Sequence, residues 1–345
     1  MGAPRSILFL GISLAATLFG GAAAAQVKGA GEGAPPPKAP VAVPDWPPPV
    51  PRYRLNMTSV LGGSYNSEGV EEQIRIGAQI RLYRSDNEAL RDNFVFVGAN
   101  PRLNPTAWRL GPSIEIQPLS VVNIKADVEY VGYFGSLSSL QSFRSPLSDF
   151  SASAREEGEK LGRNYGTGGV RLSLTPFFQI KLGPIALRNR FTFEYVWVDL
   201  RAGDTVFYEP AYDTLSPGHG KFLSDDLDVF YVVDLPGGGF FSHGRIAAGV
   251  RYSAFKPIFE STHFERGDDV SKERNEVHRV GPLVAFSLFD DGYSKFHEPT
   301  LVAMAQWYAA HPNRTGKDMD QSVPYLVLAF IFQSDLWTSE GTPRL

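Results

Sequence analysis

Val170-Arg171-Leu172-Ser173-Leu174-Thr175-Pro176-Phe177-Phe178-Gln179-Ile180-Lys181-Leu182 is the stretch that decides the fold. Val170, Leu172, Leu174, Pro176, Phe178, Ile180 and Leu182 share one parity, and Arg171, Ser173, Thr175, Gln179 and Lys181 share the other. Successive side chains of an extended chain point to opposite faces. The segment therefore reads as a strand with one apolar and one wet face. The same alternation returns from about Arg52 to Trp337. A soluble β-sandwich also alternates, but its strands average about 5 or 6 residues, and these alternate for roughly twice that length. The pattern predicts an all-β chain: a transmembrane antiparallel up-and-down β-barrel, apolar outside and polar inside.

Counting back from the C-terminus, the expected strands are Val323–Leu336, Pro299–His311, Val277–Phe289, Phe241–Phe255, Asp226–Leu235, Ile185–Leu200 and Gly169–Leu182. The N-terminal part adds Val121–Phe134, Ala107–Pro118, Asn93–Asn100, Glu72–Leu82 and Tyr53–Tyr65. The count is about 12, an even number as in bacterial single-chain barrels. Pro101 and Pro105 mark either a loop or a bend in one longer strand, which leaves 10 to 14 open. Pro118-Leu119-Ser120, Gly183-Pro184, Pro236-Gly237-Gly238 and Asp290-Asp291-Gly292 are tight-turn chemistry. Gly135–Thr167, Arg201–Asp225, Glu260–Glu276 and Pro312–Ser322 are longer and polar, so short periplasmic turns should alternate with long extracellular loops. Phe191, Phe193, Tyr195 and Trp197 share one face of one strand, and Tyr130, Phe134, Tyr252 and Trp307 fall near strand ends. Aromatic girdles are expected there, at the headgroup level.

Residues 1–25 read as a secretory signal peptide. Arg5 supplies the basic start, Ile7 to Phe19 the apolar core and Ala23-Ala24-Ala25 a small-residue cleavage site. Residues 26–51 are Pro-rich, with Pro35-Pro36-Pro37 and Pro47-Pro48-Pro49 favouring a polyproline II spacer. We expect a periplasmic linker there, with a docking peptide around Trp46 as the sharper alternative. The barrel should occupy 52–337 and a short tail 338–345. The chain has no cysteine, which excludes a disulfide framework and a lipidated cysteine. Its 33 Lys and Arg against 37 Asp and Glu supply no basic footprint for nucleic acid.

If the apolar parity faces lipid, the other parity names the lumen: Arg54, Arg75, Arg81, Arg109, Glu115, Lys125, Asp127, Glu129, Arg171, Lys181, Arg188, Arg190, Glu194, Arg245, Arg251 and Arg279. Asp226, Asp228, Asp234 and Glu298 join the acids. Arginine outnumbers carboxylate in this set. An Arg-rich wall favours anionic solutes in an open pore. Mixed charges in a narrow barrel instead brace one another, and about 12 strands lies between a filled and an open interior.

Enzyme chemistry finds little footing. None of His219, His243, His263, His278, His297 and His311 stands two residues before a serine. Ser242-His243 and His297-Glu298 are adjacent pairs, and strand neighbours point to opposite faces. No His-x-x-x-His spacing or calcium-loop signature appears. We therefore expect no catalytic residues, no metal and no cofactor.

The alternating strands, the aromatic ends and the closing stretch Tyr325-Leu326-Val327-Leu328-Ala329-Phe330-Ile331-Phe332 resemble bacterial outer-membrane β-barrel proteins of the porin-like class. The closing strand is similar to the signal read by the barrel-assembly machinery, though Trp337 is followed by further residues and the strand holds no glycine. Leu110 to Pro118, continuing to Tyr133-Phe134-Gly135, looks like barrels of myxobacterial type. The resemblance implies an outer-membrane location and a porin-like passive channel. The alternative is a non-conducting structural barrel that anchors a surface or trans-envelope complex, such as motility or secretion machinery. The expected partners are outer-membrane lipid and lipopolysaccharide, the assembly machinery, and a periplasmic or envelope partner reached through the Pro-rich arm.

Overall fold

A computed structural model describes residues 50–339 apart from 67–68, 86, 138, 236–242, 291, 293–294 and 314–322. The expected signal peptide, nearly all of the Pro-rich linker and the end of the tail lie outside the described residues, as do the Pro236-Gly237-Gly238 turn and most of loop 312–322.

Twelve antiparallel strands form a closed barrel. The wall comprises β1 (Tyr53–Tyr65), β2 (Gly69–Ile80), β3 (Phe94–Ala99 continued by Arg102–Leu103), β4 (Ala107–Leu110 continued by Pro112–Leu119) and β5 (Val122–Tyr133). It continues with β6 (Thr167–Leu182), β7 (Ile185–Val198), β8 (His219–Asp234), β9 (Arg245–Ile258), β10 (Val277–Ser287), β11 (His297–Ala310) and β12 (Tyr325–Thr338). Each strand pairs with its sequence neighbours, and β12 returns to β1 to close the ring. Closure leaves no edge strand, the condition for placing backbone in lipid.

The Pro101 region is a kink within one strand. Phe94–Ala99 and Arg102–Leu103 both pair with β2, before and after an interruption at Asn100-Pro101. Pro101 has no N–H to give the ladder; its carbonyl accepts from the Ile74 amide at 2.9 Å. Buried Asn100 accepts from the Gln73 side chain at 2.8 Å. A second break falls at Gly111, where a Cβ would lie 1.8 Å from the Val128 carbonyl oxygen on β5. Glycine is needed because the neighbouring backbone comes that close. The next turn is set by Asn104, whose side-chain oxygen accepts from the Thr106 and Ala107 amides at 2.9 and 2.7 Å.

Burial follows parity. On β6, Val170, Leu172, Leu174, Phe178, Ile180 and Leu182 are exposed on the outer wall, while Arg171 and Phe177 are buried inside. Tyr130, Phe134, Tyr195, Trp197 and Trp307 ring the long-loop end, and Tyr53, Tyr231 and Trp337 ring the short-turn end. An apolar belt between two aromatic rings is the outer surface of a membrane-spanning barrel. The long-loop ring holds the expected Tyr130, Phe134, Tyr195, Trp197 and Trp307, whereas Phe191 and Tyr252 lie near the middle of their strands.

Three features differ from the sequence expectation. β8 begins at His219, so Gly220 to Asp225, read as loop, is wall strand. Its polar run Lys221, Ser224 and Asp225 masks the alternation, yet it pairs in register with Trp197 to Phe191 on β7. The closing strands are apolar on both faces: Leu326, Leu328, Phe330 and Phe332 point outward, and Val327, Ala329 and Ile331 pack with Leu283, Ala285, Val302 and Val60 inside. Asp335 continues the inward parity of Ile331, and a bulge between β1 and β12 at Leu336 then shifts the register, so Leu336 and Trp337 are both exposed.

Candidate functional site, a hairpin seated in the lumen

The long-loop end of the barrel is occupied by its own chain. Between β7 and β8 the short strands Val206–Glu209 and Thr214–Pro217 form a hairpin, and Ser142–Phe143 adds a third strand. All eight hairpin residues are buried, Phe207 and Leu215 completely. Phe207 packs with Ala107, Val131, Tyr133, Leu140, Val196 and Val198. Val206, Tyr208 and Leu215 pack against Phe150, Phe143 and Phe259 from the neighbouring loops. The helix Ala152–Lys160 caps the group, laying the buried Arg155 guanidinium 3.8 Å over the Tyr208 ring.

The hairpin tip carries the polar anchors. Pro210 opens the turn, and Asp213 closes it in the left-handed region at φ 55, a conformation Asp tolerates better than most residues. The Tyr212 hydroxyl donates to Glu194 at 2.9 Å, and its ring stacks on Phe222 at 4.4 Å and Phe255 at 5.0 Å. Burial, reinforced by the Glu194 charge, pushes the Tyr212 phenol above its ordinary value and keeps it a donor. Glu209 meets Arg171, and Arg109 at 3.7 Å. Asp213 accepts from Tyr208 at 2.7 Å and from Tyr308 at 3.2 Å; His311 Nε2 donates to its carbonyl at 2.6 Å. Since Glu194 lies four residues in from the end of β7, the tip reaches roughly 13 Å along the strand.

Beneath the tip lies a polar cavity of about 100 Å³, lined by strands from nearly the whole ring together with Ala211 and Tyr212. The charges predicted from parity lie on the inner wall in three tiers. Around the cavity and tip, Arg171 binds Glu194 at 3.1 Å, Lys125 binds Asp127 at 3.0 Å and Arg190 sits 3.8 Å from Asp226. Glu129 faces Arg102 at 3.6 Å, a cation absent from the sequence reading because it follows the Pro101 break. In the middle tier Asp228 takes Arg188 at 2.5 Å and Arg251 at 2.6 Å, and Arg75 takes Glu115 at 2.7 Å while stacking on Phe96. At the turn end Arg54 reaches Asp335 at 3.5 Å, and Lys181 and Arg245 share Asp234 at 2.9 and 2.7 Å. Arg81 lies one residue past β2 and donates to the Val50 carbonyl.

Arg279 differs. It is 4% exposed and surrounded by Tyr325, Phe255 and Tyr308 at 4.1 to 5.8 Å, with no carboxylate partner among the described residues.

The sequence reading missed Glu71, Glu209, Asp213 and Asp335, all buried. Glu209 and Asp213 belong to the hairpin, whereas Glu71 and Asp335 carry the inward parity of their strands, Glu71 one residue before the expected start of β2 and Asp335 one residue before the expected end of β12. The available signal was the apolar cluster Val206-Phe207-Tyr208 with Leu215, anomalous in a loop assumed to face water. With these acids counted, the arginine surplus on the wall is largely neutralised by paired carboxylates.

No protein-family profile matches the sequence, and no curated protein matches it. Among solved structures, the beta domain of the Bordetella autotransporter BrkA is similar at 9% identity and a TM-score of 0.42, over 82% of this chain and 99% of that one. CdiB from Acinetobacter baumannii is similar at 9% identity and a TM-score of 0.35, over 83% of this chain and 60% of its own. The outer membrane protein OprD from Pseudomonas aeruginosa gives 8% identity and a TM-score of 0.24, over 83% and 94%.

Proposed function

We propose that this chain is an integral outer-membrane barrel whose lumen is closed by its own hairpin, and that in this state it serves as a non-conducting scaffold. The observation that supports this reading is the burial of Val206 to Pro217 inside the loop end of the barrel. A mobile loop exposes backbone and makes few apolar contacts; this one packs Phe207, Tyr208 and Leu215 and pairs its charges with the wall. Its anchors Tyr212, Glu209 and Asp213 are held from several wall strands at once. The ordered cap above it, including the helix Ala152–Lys160, offers a fixed outward surface on which an envelope partner could dock.

Planar-bilayer recordings test the closure. The full protein should give no conductance steps across a range of salts, and replacing residues 204–217 with a short Gly-Ser link should produce them. Steps from the unaltered protein at low voltage would overturn the proposal. Pull-downs with and without residues 26–51 test the scaffold role, which fails if no envelope partner depends on the arm or the cap.

A porin-like passive channel is the second reading, favoured by the charged cavity below the hairpin. It requires the hairpin to leave its seat. The exterior belt fits lipid and lipopolysaccharide, and the apolar β12 fits recognition by the assembly machinery.

A further inference from the structure

We propose that the cavity beneath the hairpin is a binding site for a small two-oxygen anion, a carboxylate of formate or acetate size, with Arg279 as its principal ligand. Three observations converge on it. First, Arg279 lines the cavity and is almost fully buried, yet its Nε has no hydrogen-bond partner. A buried guanidinium is costly to leave without a counter-charge.

Second, the carboxylates around the cavity are already engaged by other groups. Asp226 takes Ser253 at 2.6 Å and has Arg190 and Arg251 beside it; Asp127 takes Lys125, and Glu194 takes Arg171 and Tyr212. Arg279 is left as the one cation of the cavity wall with no acid of its own among the described residues.

Third, the surroundings of Arg279 select how it can bind. Phe255 lies at 4.8 Å, Tyr308 at 5.8 Å and Tyr325 at 4.1 Å from the guanidinium carbon. Rings packed around the guanidinium hold it by cation–π attraction and leave its N–H edge for a ligand. That edge is a planar fork, and it matches two oxygens of one anion better than a spherical ion. The neighbouring Gln306 is fixed by its donor side to Ser253 Oγ at 3.1 Å. The cavity volume of about 100 Å³ matches formate or acetate better than a sugar acid.

The test uses the full-length protein in detergent, titrated with sodium formate, phosphate or chloride while sodium gluconate holds the ionic strength constant. Melting temperature and ¹³C-formate line width are read together. Formate should raise the melting temperature saturably and broaden its own resonance, with half-saturation about tenfold below that of chloride. Arg279→Met should abolish both responses, while Arg279→Lys keeps a response but loses the preference for formate over chloride. In gluconate alone Arg279→Met should melt no lower than the unaltered protein, because it removes an unpaired buried charge. If it fails to fold, Arg279→Gln carries the same expectation for formate. Equal titrations in the unaltered and Arg279 variants, or no saturation by any anion, would show a cavity that holds only water and would overturn the proposal. Saturation by chloride or phosphate in preference to formate would overturn the carboxylate assignment. None of these readings depends on conductance, so failure here leaves the closed-barrel reading standing, and the reverse.

Discussion

The Tyr212 hydroxyl donates across 2.9 Å to Glu194, tying the tip of an inserted hairpin to the barrel wall. Glu194 simultaneously accepts from Arg171 at 3.1 Å, so one wall carboxylate joins the hairpin to the charge network. Tyr212→Phe removes only the hydroxyl and should loosen the hairpin by about 1 kcal/mol. Tyr212→Ala also removes the stacking on Phe222 and Phe255 and should cost about 3–5 kcal/mol. Hydrogen exchange of the 206–217 amides should accelerate in that order while the wall strands stay protected. Equal protection in both variants would show that the tip does not hold the hairpin.

Asp228 and Asp234 each bridge two cations, but at different depths. Asp228 is buried between Arg188 and Arg251, whereas Asp234 is about half exposed at the turn end. Asp228→Ala leaves the buried Arg188 without its carboxylate and Arg251 with only Asp226 at 4.0 Å, and should destabilise the barrel by about 3–5 kcal/mol. Asp234→Ala should cost under about 1 kcal/mol, because water screens the pair. Thermal unfolding of both variants in one detergent reads the contrast directly, and similar losses would contradict it.

Two glycines should respond differently to a methyl group. Gly183 sits in the two-residue turn between β6 and β7 at φ 60 with open space around its Cβ direction, so Gly183→Ala should cost about 1–2 kcal/mol through backbone strain alone. Gly111 has an ordinary φ, but the Val128 carbonyl blocks the methyl, and Gly111→Ala must push β4 away from β5. The second variant should therefore be the less stable, with faster exchange at Val128 to Val131. A Gly111→Ala melting point at or above that of Gly183→Ala would refute the steric account.

Asp92 lies in the turn-end segment between β2 and β3, where burial pushes its carboxyl above the ordinary value of 3.8 despite Arg91 and Arg54. A raised value means folding favours the protonated form. The contribution is fully present below the ordinary aspartate value and is lost as pH rises through the raised one. Asp92→Asn should accordingly stabilise the barrel at neutral pH and leave it unchanged near pH 3. A stabilisation that is the same at both pH values would exclude this origin.

Much of the wall was legible in the sequence, because parity is a local property. Val170 to Leu182 shows which side chains face outward without knowledge of any neighbour, and the tight turn at Gly183-Pro184 follows from turn chemistry. Strand ends were less legible. Lys221 to Asp225 reads as polar loop, yet pairing with β7 makes it wall. Beyond Asp335 parity fails: a bulge at Leu336 against β1 absorbs one residue, so Leu336 and Trp337 both face outward.

The sequence by itself determined a closed antiparallel barrel of about 12 strands with its apolar face outward, since period-two alternation over long strands allows few other solutions. Only the tertiary structure decided what fills it. The inward fold of Val206 to Pro217 depends on Glu194, Arg171, Phe222, Phe255 and Tyr308, which are far apart in the chain and meet only when the ring closes. The same closure pairs nearly every predicted lumen cation with a carboxylate and leaves Arg279 among aromatic rings without one. Parity shows which face a side chain takes; strand register and loop packing decide what it meets there.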